Sequence, residues 1–271
     1  MADNGTIKIG DFTVNRIGLG TNRINNTPKS HELLKQAVEW GVNFIDTAQA
    51  YGEGESEKGI ASALAPYADG LLVATKGGIA PNSNYTPDGT AEGLRKGVEE
   101  SLARLGVETL DLYQLHRVDP NVPIEESMAT LKQLQDEGKI RHIGLSEVTV
   151  EQLKKAQSVV DIVSVQNEYN VIVRQYEDLV DYCTEQGIVF IPWFPLGGLR
   201  GGSQKIEAEL AELATKYNAT AQQIALAWLL KRSPMILPIP GTLSMDHLKT
   251  NLEAGSIELN DEDYAALTEI K

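Results

Sequence analysis

Apolar and polar positions along the chain switch repeatedly between two spacings. Alternation at every second residue marks strands, and recurrence every three to four residues marks helices. The chain opens on T-I-K-I-G-D-F-T-V (6 to 14), alternating on either side of Gly10-Asp11, a pair suited to the positive φ of a tight turn, and a β-hairpin is predicted there. Strand-length apolar runs then recur: R-I-G-L-G-T (16 to 21), V-N-F-I-D (42 to 46), L-L-V-A-T-K (71 to 76), L-D-L-Y-Q-L-H (110 to 116), H-I-G-L-S-E (142 to 147), I-V-S-V-Q-N-E (162 to 168), I-V-F-I-P-W-F (188 to 194) and M-I-L-P-I-P (235 to 240). Helical patterns lie between them. Thr27-Pro28 reads as a cap with proline at the first helical position, ahead of an apolar face of Leu33, Leu34, Ala37 and Val38. Leu94, Val98 and Leu102 share a face, as do Ile124, Met128, Leu131 and Leu134, while Thr149 with Gln152 and Thr220 with Gln223 read as capping boxes.

Eight strands, each followed by a helix, predict a closed (β/α)8 TIM barrel rather than an open sheet. The N-terminal hairpin is expected to cover the end opposite the strand C-termini. Two helical patterns, 203 to 216 and 261 to 270, exceed the count and read as extra helices on the barrel. No composition shift or linker divides the chain, so residues 1–271 are expected to form one domain.

Composition narrows the partners. With 38 acidic against 24 basic residues and a formal charge of −14, the protein repels phosphate backbones and anionic lipid heads, which argues against nucleic acid and membrane surfaces. The lone cysteine, Cys183, excludes an intramolecular disulfide, and its spacing from Leu179 points to the core. Met-Ala-Asp-Asn-Gly at the N-terminus lacks the segments of a signal peptide, and no apolar run approaches the roughly 20 residues that span a bilayer, so a cytoplasmic location is expected. Oligomeric state leaves no trace in the pattern.

Several strand runs end on groups that a core would not select: Asp46, Lys76, His116, Ser146 with Glu147, and Gln166. In a parallel barrel all strand C-termini meet at one rim, so these residues converge although far apart in sequence. Singly, each has a plainer role: Asp46 could cap a helix, Lys76 could be a solvated strand end, His116 a hydrogen-bonded rim residue. Five successive strand ends carrying such groups favour a site. Tyr51, in the loop after Asp46, completes a chemical unit. A nearby ammonium lowers a phenol's pKa, Lys76 can supply it, Asp46 can keep that lysine charged, and His116 can position a substrate oxygen. The result would be a general acid at a barrel mouth.

The motifs F-I-D-T-A-Q-A-Y-G, V-A-T-K-G-G, L-Y-Q-L-H, I-G-L-S-E-V, S-V-Q-N-E-Y and I-P-G-T, in this order, resemble the aldo-keto reductase superfamily from about residue 6 to residue 253, in the manner of a bacterial-type member with short loops. The resemblance implies a nicotinamide-dependent reduction of small aldehydes or ketones by the tetrad Asp46, Tyr51, Lys76 and His116. It further implies Ser146, Glu147 and Gln166 around the carboxamide, Trp193 under the nicotinamide, and Gly20, Thr21 and Asn22 near its ribose. The loop from Trp193 to Leu199, with Phe194, Pro195, Leu196, Gly197 and Gly198, matches the family's pyrophosphate segment. Glu147 stands where asparagine is common; it can accept from the carboxamide but not donate. Gly241, Thr242 and His247 replace a lysine-serine pair and an arginine at the adenosine phosphate, and Asn251 matches an adenine contact. NADP(H) is therefore expected to be favoured with NAD(H) possible, the helix starting near Ser244 offering backbone N–H groups to an anion.

Other signals are weaker. Gly18-Leu19-Gly20 lacks the third glycine of a dinucleotide fingerprint, and the histidines at 31, 116, 142 and 247 lack zinc-ligand spacing, so no metal is implied. Short to moderate loops at 77 to 90 and 117 to 123 suggest an open mouth, with Tyr85 and Phe194 as candidate lining. Two other readings stay open: an aldolase-type barrel with Lys76 as a Schiff-base lysine, and a nucleotide-binding sensor or regulatory subunit with little turnover.

Overall fold

The computed structural model describes residues 5–81, 83–197 and 204–270. The predicted hairpin is present: β1 (Thr6–Ile9) and β2 (Phe12–Asn15) pair antiparallel, with Ile7 opposite Val14 and Ile9 opposite Phe12. At its turn Gly10 has φ of 59°, and a Cβ there would come within 2.3 Å of the His142 ring, so both conformation and space require glycine.

Strands and helices then alternate: β3 (Leu19–Gly20), α1 (Pro28–Glu39), β4 (Phe44–Asp46), α2 (Glu55–Leu64), β5 (Leu72–Gly77), α3 (Ala91–Leu105), β6 (Leu110–Leu115), α4 (Ile124–Asp136), β7 (Ile140–Ser146), α5 (Val150–Gln157), β8 (Ile162–Gln166), α6 (Glu177–Gln186) and β9 (Val189–Phe190). After these come α7 (Gln204–Lys216), α8 (Ala221–Arg232), α9 (Met245–Glu253) and α10 (Asp261–Glu269). The predicted helix from 203 begins at Gln204, Ser203 lying outside the described residues. β3 to β9 pair in chain order as one parallel sheet.

The eighth predicted run, 235 to 240, does not form a regular strand. Pro238 and Pro240 have no N–H to donate, so a continuous ladder is impossible there. The ring still closes through this segment. Phe190 N donates to Met235 O at 2.8 Å and Leu237 N to Phe190 O at 2.9 Å on one side, while Gly18 N donates to Pro238 O at 2.9 Å on the other. At Gly20 a Cβ would lie 2.6 Å from Ile239 O, so the seam can close this tightly only because a side chain is missing.

The helices start where capping chemistry predicted. The hydroxyl of Thr27 accepts from Ser30 N ahead of Pro28, and both capping boxes, Thr149 with Gln152 and Thr220 with Gln223, are complete. In α8 the run Ile224 to Leu229 is buried on every side, because α7, α9 and α10 all pack on it. Period-two alternation divides the strand side chains between two cores. Outward residues such as Ile45, Val73, Tyr113, Ile143 and Val165 pack under the helices. Inward residues Phe44, Leu72, Ala74, Leu112, Val189 and Leu237 form a second cluster with Ile7, Ile9 and Val14 of the hairpin, which plugs the N-terminal end of the barrel. Among the described residues no helix is long and apolar enough to cross a membrane.

Candidate active site

The same alternation that sends Phe44 into the barrel sends Asp46 there two residues later. It likewise follows Leu72 and Ala74 with Lys76, and Leu112 with Gln114 and His116. In β4, β5 and β6 the inner face is therefore apolar at its N-terminal end and polar at its C-terminal end. Parallel pairing stacks the polar ends beside one another.

Lys76 is fully buried, and its Nζ donates to Asp46 Oδ2 at 2.8 Å, Thr47 O at 2.8 Å and Tyr51 Oη at 3.2 Å. Burial alone would pull the ammonium below its ordinary value; the Asp46 carboxylate, helped by Tyr51, outweighs that and raises the lysine above it. For Tyr51 the net direction is opposite to the sequence expectation. Burial raises the phenol above its ordinary value, and Lys76 pulls it only part of the way back while Asp46 pushes further up. Lys76 thus moderates the tyrosine rather than setting it below a free phenol, and Tyr51 keeps its proton at neutral pH. His116 is driven well below the ordinary imidazole range, first by burial and then by the positive charges of Lys76 and Arg117, so its ring is neutral. Its Nδ1 is buried and has no hydrogen-bond partner among the described residues.

Asp46, Tyr51 and His116 form the floor of a cavity of about 1060 Å³ at the C-terminal rim, and Lys76 lies buried beneath them, outside the lining. Its lining includes Gly20, Thr21, Asn22, Asp46, Tyr51, His116, Ser146 and Gln166, then Trp193, Phe194, Pro195 and Leu196, and Gly241, Thr242, His247 and Asn251. Gly197 lies just beyond, its N–H donating to Phe194 O at 2.8 Å to form a turn. Gly198 and Leu199, the remainder of the predicted pyrophosphate segment, lie outside the described residues. Thr21 is committed elsewhere: its hydroxyl donates to Asp46 O at 2.8 Å and contacts Ser56 Oγ. Ser244 caps α9, its hydroxyl accepting from His247 N at 3.4 Å, and Thr242 Oγ1 accepts from Ser244 N at 3.0 Å.

Of the residues expected around the carboxamide, Ser146 and Gln166 line the cavity, and Gln166 has a second partner. Gln166 Nε2 donates to Asp46 Oδ1 at 2.8 Å, so its amide helps orient the aspartate. Glu147 is not among the residues that line the cavity. Its backbone has φ of 55°, and its carboxylate sits at the edge of the Trp193 indole, where Oε1 accepts from Trp193 Nε1 at 2.6 Å and from Glu168 N at 2.9 Å.

Arg23 and Arg117 also line the cavity and had escaped sequence reasoning, as had Gln114, which approaches Asp46 Oδ1 at 3.4 Å. Arg117 donates to His116 O at 3.0 Å and approaches Ser146 Oγ at 3.4 Å. Its position directly after a strand-end histidine was the available signal. Below the site, Glu57 is wholly buried, accepting from Thr75 Oγ1 at 2.6 Å and pairing with Arg104 Nε at 2.5 Å. The loops over the site are tied together through Asp119, whose carboxylate accepts from Gly89 N at 3.0 Å and Asn121 N at 2.8 Å. This holds Tyr85, at φ 57°, edge-on to His116 with ring centroids 5.6 Å apart. Cys183 is core, as its spacing indicated; burial pushes its thiol up to about 12.

Comparison with known proteins gives the family. An oxidoreductase of Schizosaccharomyces pombe is 44% identical over 98% of this chain and 89% of its own length. Pyridoxine 4-dehydrogenase of Escherichia coli is 36% identical, over 97% of each chain. The crystal structure of an aldo/keto reductase from Klebsiella pneumoniae in complex with NADP and acetate superposes with a TM-score of 0.85 at 26% identity, covering 97% of this chain and 93% of that one. The sequence profile of the Aldo/keto reductase family matches residues 16–271. The chain belongs to the aldo/keto reductase family and is an oxidoreductase acting on carbonyl compounds.

Proposed function

We propose that the protein reduces small aldehydes to primary alcohols with NADPH, Tyr51 delivering the proton. The observation that carries this reading is the buried chain Asp46–Lys76–Tyr51, which ends at the cavity floor on a protonated phenol. A bound reduced nicotinamide supplies the hydride, and with it both electrons, to the carbonyl carbon. Tyr51 gives its proton to the carbonyl oxygen as charge develops there, and Lys76 stabilises the phenolate left behind. Asp46, held by Gln166 and Gln114, keeps Lys76 charged. Neutral His116 orients the carbonyl without competing as an acid.

The cavity's chemistry suits a dinucleotide. It runs from Tyr51 and His116 past Trp193 to Thr242, His247 and Asn251, and a cavity of this size holds an extended ligand. The cofactor assigned is NADP(H), the nucleotide bound by the Klebsiella pneumoniae protein. Its preference over NAD(H) is modest, because among the described residues the cations lining the cavity, Arg23 and Arg117, follow Asn22 and His116 and not the adenosine-side segment at 241 to 251. Tyr85 and Phe194, 45% and 53% exposed at the mouth, favour a planar aldehyde. Pyridoxal, the aldehyde obtained by oxidising pyridoxine, therefore belongs in the test panel.

Schiff-base chemistry is disfavoured because Lys76 is completely buried, saturated with three acceptors and held in its charged form. The experiment is NADPH oxidation at 340 nm with an aldehyde panel, for the wild type and Tyr51→Phe. The expected result is a fall in kcat by about a hundred- to ten-thousand-fold with nucleotide affinity retained. Equal turnover by the two proteins would remove Tyr51 from the mechanism. No oxidation by the wild type would favour a sensor.

A further inference from the structure

Glu147 carries a feature that carbonyl reduction as described leaves unused. Among the described residues the carboxylate's partners are three donors from three different segments: Trp193 Nε1 at 2.6 Å and Glu168 N at 2.9 Å on Oε1, and Tyr176 Oη at 3.3 Å on Oε2. To reach them, a non-glycine residue holds a left-handed backbone at the end of β7, a conformation that persists only where its surroundings impose it. The indole that receives this attention is half-buried and lines the cavity, whereas the carboxylate at its edge does not. The backbone of Trp193 is pinned as well, bridging Glu168 in parallel and donating from N to Asn167 O at 3.1 Å.

A short N–H···O⁻ bond has two effects on an indole. It fixes the plane of the ring, and it pushes electron density onto the π-face, strengthening that face for a cation. The two forms of a nicotinamide differ in this respect, since the oxidised ring is cationic and the reduced ring neutral. Resting on the reading of Trp193 as the nicotinamide platform, we propose that Glu147 is a positioning residue that holds the Trp193 indole and biases the cavity toward NADP⁺ relative to NADPH, favouring hydride donation.

The test is calorimetric titration of the wild type, Glu147→Gln and Tyr176→Phe with NADP⁺ and with NADPH, repeated for Glu147→Gln in a Trp193→Phe background. Glutamine keeps an oxygen acceptor for the indole and removes the charge. The expected result is a rise in the ratio Kd(NADP⁺)/Kd(NADPH) of about three- to tenfold for Glu147→Gln. Tyr176→Phe, which leaves the charge in place and frees it of one competing donor, should hold the ratio at or below that of the wild type. In the Trp193→Phe background, which has no indole N–H, Glu147→Gln should shift the ratio less than about twofold. An unchanged ratio in Glu147→Gln, equal weakening of both nucleotides, a rise in Tyr176→Phe, or the same shift with and without the indole would each overturn the proposal. Wild-type protein that binds neither nucleotide would instead overturn the reductase reading, and this inference with it.

Discussion

The two ends of the barrel are built from the same strands and by the same alternation, yet they solve opposite problems. At the N-terminal end Phe44, Leu72, Leu112 and Leu237 meet Ile7, Ile9 and Val14 of the hairpin, and the interior is sealed by dispersion and the exclusion of water. Two to four residues further along, Asp46, Lys76 and Gln114 occupy the inner face, joined there by Gln166 of β8, and only mutual hydrogen bonding makes their burial tolerable. β7 spans the contrast in one strand. His142 contacts the hairpin at Asp11, Gly144 leaves the space that the neighbouring Gln114 and Ser164 side chains fill, and Ser146 faces the cavity. The plug confers stability and carries no chemistry, whereas the rim spends stability to hold an ammonium and a phenol in one geometry.

Breaking the rim should have the larger consequence. Lys76→Met leaves Asp46 buried without its cation, and removing one partner of a buried pair costs about 3–5 kcal/mol. Turnover should fall by about a hundredfold or more at the same time. Denaturant unfolding checks the first and NADPH oxidation the second; a Lys76→Met/Asp46→Leu double variant should recover part of the stability and none of the activity. On the plug side, Phe44→Ala should cost a comparable 3–5 kcal/mol or so by cavity formation, but nucleotide Kd and KM should stay within about twofold of wild type at temperatures where the variant is folded. A large loss of affinity in Phe44→Ala would mean the two ends are not independent.

The smallest effect sharpens the comparison through pH. His116 has a folded-state pKa well below its unfolded value of about 6.5, so the unfolded chain binds more protons in that window and stability falls as pH drops below about 6.5. The contribution should be on the order of 1 kcal/mol at pH 5.5, read as the difference in unfolding free energy between pH 7.5 and 5.5 for wild type against His116→Gln. Identical differences in the two proteins would mean the imidazole charges freely in the folded state.

Much of the candidate site was legible because a carboxylate, an ammonium or an imidazole stands out at the end of an apolar strand run. The parallel barrel then converts equal positions along successive strands into neighbours, as with Asp46, Lys76 and His116. Glu147 was legible as a strand-end polar group, but its destination was not. That depends on a left-handed backbone and on an indole 46 residues away. Gln166 likewise turned to Asp46, 120 residues distant, which no local pattern encodes. The eighth strand was read from its apolar composition, while its prolines turned a ladder into a few closing hydrogen bonds.

By itself, the sequence determined everything that depends on period and position: the hairpin, the alternation of strands and helices, the helix caps, the inner and outer faces, and which side chains end the strands. These are local properties of the chain, and neighbours within a few residues decide them. Only the tertiary structure decided the direction of the Tyr51 shift, the neutrality of His116, the recruitment of Arg117 and the placing of Glu147 at the edge of the Trp193 indole. Burial and electrostatic interaction are sums over atoms from many segments, and they take a value only once those segments are packed together.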